Sequence, residues 1–288
     1  ARTGAKEITL DLLEMAKDKI MMGAERRSMI INEKEKEVTA YHEAGHALVA
    51  WLLPGTDPIH KVTIIPRGRA LGLTMQLPTD DKYTHSKTYL ENQLCILYGG
   101  RLAEKLVFNE ITTGAGNDIE RASGLARKMV CEWGMSDELG ALTYGKKDDN
   151  VFLGKDISQS RDFSDDTARQ IDLAVRKFID TAMETVTKLL SEHQDILARM
   201  SEDLLEKETI VLTDMENIIE ELRPGQYTEY MTKLKAAEPQ PQPAKAAPAA
   251  ATADPVAEEV VVEAAEPSDV QEVTPEPQEE KKNDPAAQ

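Results

Sequence analysis

The sequence predicts a mainly α-helical domain with one small β-ribbon, followed by an acidic C-terminal tail that stays disordered. Three observations lead there. Apolar residues recur at three- and four-residue spacing through most of the chain as far as about residue 222, as in helices that bury one face. One stretch near residue 60 alternates instead and is rich in β-branched residues, which suits a strand. Past residue 225 the chain turns to Pro, Ala and Glu. From Ala236 to Gln288 it holds nine of the fourteen prolines, no aromatic residue, and twelve acidic against three basic side chains. Such a segment buries too little apolar surface to offset the entropy of ordering. The organisation read from this is 1–27, a lead-in segment; 28–225, the folded domain; and 226–288, the tail.

Taken in order, Ile8 to Arg27 reads as a helix and its exit. Asn32-Glu33-Lys34-Glu35 has the form of an N-terminal capping box, and Pro54-Gly55 stops the helix it begins. Val38, Tyr41, Gly45, Leu48, Val49 and Leu52 form its apolar face. His60-Lys-Val-Thr-Ile-Ile-Pro66 and Leu71-Gly-Leu-Thr-Met-Gln-Leu77 can pair across an Arg67-Gly68-Arg69 turn. Helical spacing returns over Leu90–Phe108, Asp118–Trp133 and one long stretch from Ser164 to about Met200. A shorter helix follows Thr213-Asp214-Met215-Glu216, and Arg223-Pro224-Gly225 closes the folded part. About 200 residues suffice for a sizeable core.

The formal net charge of −18 argues against nucleic acid as a partner. Two cysteines, Cys95 and Cys131, give no disulfide framework and suit a reducing compartment. Both fall in apolar helical stretches and read as buried thiols. No apolar run is long enough to cross a bilayer, no signal peptide is present, and no phosphate-binding Gly-x-x-x-x-Gly-Lys-Ser/Thr loop occurs.

The most informative residues are His42-Glu43-Ala44-Gly45-His46. Positions i and i+4 of a helix lie on one face, so the two imidazoles can hold one zinc ion, with Glu43 placed to take a proton from a coordinated water. A histidine at the edge of an apolar face is commonplace packing, but a capped amphipathic helix is the setting this motif requires. Two ligands leave the site unfinished. From the residues alone Glu104, Asp118 and Glu120 all qualify for the third place. His60 and His85 read as surface or core-edge residues. A structural zinc site would use four protein ligands, often cysteines, and the chain offers no such set.

Five blocks carry a wider resemblance. They are Thr39-Ala-Tyr-His-Glu-Ala-Gly-His-Ala47, His60 to Gly72, Leu97-Tyr-Gly-Gly-Arg-Leu-Ala-Glu104, Thr112-Thr-Gly-Ala-Gly-Asn-Asp-Ile-Glu-Arg121 and Glu132-Trp-Gly-Met-Ser136. In order and with few gaps as far as about residue 223, they resemble the peptidase domain of the FtsH family of membrane-anchored AAA zinc metalloproteases. The resemblance implies a helical zinc metallopeptidase domain and makes Asp118, in Gly114-Ala-Gly-Asn-Asp118, the third ligand beside His42 and His46. Asn117 and Glu120 would cap a helix whose first turn contains Asp118, where the helix dipole favours a carboxylate. Glu43 is then the catalytic base and Glu104 a support around the metal. Residues 1–27 resemble the last helix of the ATPase module that precedes this domain, and ATP enters only through that module. The family also implies a homo-hexamer, unfolded or membrane polypeptides as substrates, and a membrane anchor outside this chain; the acidic tail favours the cytoplasmic face of a bacterial inner membrane over an organelle membrane. A scaffold that kept the motif without activity is the alternative.

Overall fold

A computed structural model describes residues 7–68, 70–78, 83–145 and 163–225. The expected disordered tail, 226–288, lies outside the described residues, as does Arg69 of the expected turn. Seven α-helices and a three-stranded antiparallel sheet make up the described part.

The helix α1 spans Leu10–Met22 and α2 spans Glu33–Leu52. Asn32 caps α2 as its sequence requires, its Oδ1 accepting from the Glu35 N–H at 2.7 Å. Leu53 is extended (φ −89°, ψ 133°) because the following proline disfavours the helical conformation there. From Thr39 to Trp51 nearly every residue of α2 is buried, which makes it the centre of the domain. The helix α3, Lys87–Phe108, is capped by Ser86, whose Oγ accepts from the Tyr89 N–H at 3.2 Å.

The two central helices approach to backbone contact. A Cβ at Gly45 would lie 2.5 Å from the Gly99 carbonyl oxygen and 2.6 Å from the Ala103 Cβ, and one at Gly99 would lie 2.7 Å from the Gly45 oxygen. Only the missing side chains permit this crossing. Around it pack α4 (Gly116–Cys131), α5 (Asp165–Glu192) and α6 (Gln194–Lys207), which bury Met129, Leu190, Ile196, Met200 and Leu204 against Leu48 and Leu94.

Two features differ from the sequence reading. The stretch expected to form one helix from Ser164 to about Met200 is two, broken at His193 (φ −128°, ψ 35°), so that α6 turns back to lie against α2. The expected ribbon, β1 (Ile59–Thr63) with β2 (Leu73–Gln76), gains a third strand, β3 (Thr209–Val211). The order is β2-β1-β3, with β1 in the middle and antiparallel to both neighbours. The helix α7, Leu212–Leu222, follows directly.

The segment before α2 is pinned to this sheet. Asp18 of α1 is buried and pairs with Lys61 and His60 of β1. Arg67 is buried as well and donates to the Gly23 carbonyl at 3.0 Å and to Glu25 at 2.7 Å. No helix among the described residues is long and apolar enough to cross a membrane.

Candidate metal centre

The helical period of α2 stacks His42 and His46, with ring centroids 4.6 Å apart and Nε2 atoms 3.0 Å apart. Both residues are buried. The imidazoles lie against α3 at Gly100, where a Cβ would come within 2.6 Å of both Nε2 atoms. That glycine keeps open the space into which the two nitrogens point.

Asp118 arrives from a third element. A 3₁₀ turn, Thr113–Ala115, leads straight into α4, with the Thr112 hydroxyl accepting from the Gly114 N–H at 3.1 Å. Asn117 is therefore inside the helix rather than its cap, because α4 begins at Gly116 and not after Asn117. Asp118 still occupies the first turn, where the helix dipole favours a carboxylate. Its Oδ2 lies 3.3 Å from each Nε2.

The outer nitrogens fix what the inner ones present. The His42 Nδ1 lies 2.6 Å from Glu104 Oε1, and the His46 Nδ1 lies 2.6 Å from the Ile96 carbonyl oxygen. A carboxylate and a carbonyl only accept, so each Nδ1 carries the proton and each Nε2 turns a lone pair inward. Two lone pairs and a carboxylate oxygen thus converge, their atoms all within 4.8 Å of one another. The 3.0 and 3.3 Å separations match the roughly 3.3 Å edge of a tetrahedron with bonds of about 2.05 Å. The donor set fits a zinc ion with one position left open, and without a cation these three atoms would repel.

The electrostatics agree. Burial works against a charged His42, but hydrogen bonds to Asp118 and Glu104 and the nearby carboxylate charges outweigh it and raise its pKa to about 10. Burial likewise opposes ionisation of Asp118, yet its hydrogen bonds to the two histidines hold it far below the usual carboxylate range. In the absence of metal a proton supplies the positive charge that this cluster demands.

Glu104 belongs to the support and not to the convergence. Fully buried, it receives the His42 Nδ1–H on one oxygen and the Thr112 N–H, at 3.0 Å, on the other. It joins α2, α3 and the loop before α4, and burial is outweighed by these bonds, which lower its pKa. Glu120 is exposed and is not among the residues whose ligand atoms converge. His60 is engaged with Asp18, and His85 stacks on Tyr89 at 4.6 Å. Cys95 is buried, its thiol pushed up to about 11 by that burial, and Cys131 is half-buried.

Glu43 points from α2 toward β2. It is buried, burial raises its pKa, and its Oε2 accepts from the Thr74 hydroxyl at 2.7 Å. Gly72, just ahead of β2, leaves room for this side chain: a Cβ there would lie 2.6 Å from Glu43 Oε1. The sequence motifs single out neither Thr74, Gly72 nor Gly100 as part of the site. Strand alternation, which turns every second residue of β2 toward α2, is the signal that could have found Thr74.

Residues 29–218 match the description of peptidase family M41. The ATP-dependent zinc metalloprotease FtsH of Acidobacterium capsulatum is 58% identical over 220 residues, covering 76% of this chain and 34% of that protein. Proteins of the same name from Magnetococcus marinus and Myxococcus xanthus are 55% and 54% identical, over 73% and 79% of this chain and 31% and 35% of their own lengths. The chain thus spans about a third of the curated relatives it matches.

Proposed function

Since this chain belongs to peptidase family M41, we propose that His42, His46 and Asp118 hold a catalytic zinc ion and that Glu43 is the base of a zinc endopeptidase. The convergence of two imidazole nitrogens and a carboxylate oxygen in a buried cluster is the observation that carries this reading. When bound, the ion supplies a water of lowered pKa and polarises a scissile carbonyl. Everything else falls to the chain's own side chains.

Glu43, one residue along from the first histidine and buried against β2, takes the proton from the attacking water. It then passes that proton to the leaving amine. Burial raises the carboxyl pKa and so favours uptake of that proton. Glu104 and the Ile96 carbonyl hold the two imidazoles in one tautomer throughout. The outer edge of β2 pairs with no described strand. It can accept a substrate as an added strand through main-chain hydrogen bonds, a mode that tolerates many side chains and suits unfolded polypeptides.

In the full-length protein this domain, 28–225, works behind an ATPase whose last helix corresponds to 1–27. The relatives' name, ATP-dependent zinc metalloprotease, supports that coupling. A homo-hexamer at the cytoplasmic face of a bacterial inner membrane, degrading unfolded or membrane proteins, completes the proposal.

The test is zinc per chain by elemental analysis in wild type, Asp118→Ala, Glu104→Ala and Glu43→Gln. Wild type and Glu43→Gln should hold about one zinc, and only wild type should cut an unfolded substrate. Asp118→Ala should lose most of the metal. Glu104→Ala, which removes only the partner of His42, should lose about 10–100-fold in affinity and still load at stoichiometric zinc. Loss in Glu104→Ala with retention in Asp118→Ala overturns the ligand set. A wild type that takes up no zinc makes the chain an inactive scaffold.

A further inference from the structure

The Thr74 hydroxyl is the one polar side-chain group among the described residues placed against the Glu43 carboxylate outside the histidine–aspartate cluster. Its oxygen lies 2.7 Å from Glu43 Oε2 and 3.1 Å from the Glu43 carbonyl oxygen. A hydroxyl has one proton, and the shorter, charge-assisted contact to the carboxylate claims it. Gly72 closes the other side: a Cβ there would stand 2.6 Å from Oε1, 2.7 Å from the Glu43 Cγ and 2.9 Å from the Thr39 methyl. The carboxylate is therefore held in a slot between α2 and the start of β2, with one oxygen bonded and the other beside a bare backbone.

We infer that Thr74 is a positioning residue for Glu43, fixing the carboxylate by its hydroxyl from the same edge strand that faces incoming substrate. The inference rests on the peptidase reading for its consequence in catalysis, but the contact itself does not. Thr74 pairs with Val62 in the register of β1 and β2, so its position is set by the sheet and not by a mobile loop. A carboxylate left without this bond can rotate about its χ angles in the slot. Proton transfer demands alignment within hydrogen-bond reach, so the loss falls on the chemical step and not on substrate affinity.

Two variants of the full chain separate the hydroxyl from its shape: Thr74→Val removes the donor and keeps the branched outline, while Thr74→Ser keeps the donor. Thr74→Val should lower kcat on an unfolded peptide by roughly ten- to a hundredfold, with KM within about threefold and one zinc per chain retained. Thr74→Ser should recover kcat to within about threefold of wild type. A second readout needs no activity. The carboxyl carbon resonance of Glu43 in ¹³C-labelled zinc-free protein, assigned by its disappearance in Glu43→Gln, should move in Thr74→Val and stay in Thr74→Ser. Wild-type kcat in Thr74→Val, equal losses in both variants, or loss of zinc in Thr74→Val overturns the inference. If the wild type binds no zinc and cuts nothing, the peptidase reading fails. The resonance then still decides for or against the Thr74 contact.

Discussion

Replacing Gly45 by alanine sets two opposed effects against each other, and the structure decides between them. Alanine in a helix interior is favoured over glycine by about 1 kcal/mol. At Gly45, however, the new methyl would sit 2.5 Å from the Gly99 carbonyl oxygen and 2.6 Å from the Ala103 Cβ. Ordinary contact begins near 3.4 Å, and both obstacles are part of the frame of α3, so no side-chain rotation relieves the clash. The helices must part by about 1 Å, which places the cost at or above the upper end of the 1–3 kcal/mol typical of overpacking. The net effect is a loss of about 2 kcal/mol, or about 4–8 °C in Tm for a domain of this size. Gly124, exposed in α4 with nothing within 4 Å of an added Cβ, is the control. Its alanine variant should gain about 0.5–1 kcal/mol. Urea unfolding of the metal-free protein, followed by far-UV circular dichroism with a constant m value, reads both without interference from zinc. Equal stability of Gly45→Ala and wild type, or a shift of both variants in the same direction, refutes the argument.

Two further outcomes concern pH and metal. Asp203 is buried, which alone would raise its pKa, but hydrogen bonds from Lys207 and Arg199 outweigh that and lower it from 3.8. A depressed folded pKa contributes stability that is present above the unfolded value and is lost as pH falls through the folded one. Asp203→Asn should therefore cost about 1 kcal/mol at pH 7 and nothing well below 3.8, and an equal deficit at both pH values would contradict this. Saturating zinc should stabilise the protein over its chelated form by about 2.7 kcal/mol at a hundredfold excess over Kd, and raise its Tm accordingly. The gain should vanish near pH 4.5, about two units below an ordinary imidazole, as protons compete with the ion for the ring nitrogens. A zinc-dependent shift that persists unchanged at that pH would rule out the His42, His46 and Asp118 set.

Local signals were legible and distant ones were not. The Asn32 cap, the Pro54 stop and the i, i+4 histidines are all short-range, and α2 reproduces them. The break at His193 carries no glycine or proline, and apolar residues continue on both sides of it, so only packing of α6 against α2 reveals it. The strand β3 is three residues long and exists through its pairing with β1. In the site, Glu104 and Asp118 stand 62 and 76 residues from His42. Nothing local ranks one carboxylate above the other. The family blocks pointed to Asp118, and the fold separates their places: one faces Nδ1 and the other Nε2.

The late partner of β1 has a bearing on when this centre can first take shape. Thr63 bonds to the Glu208 carbonyl, 145 residues further on. At the usual pace of about 5–20 residues per second, a growing chain makes β1 and then waits some 7–30 s before its second neighbour leaves the ribosome. Asp118 is made only about 3–11 s into that interval, while the sheet bearing the Thr74 contact still lacks its third strand. The three-stranded sheet is thus completed only once Thr209–Val211 have been made, after every residue of the metal cluster.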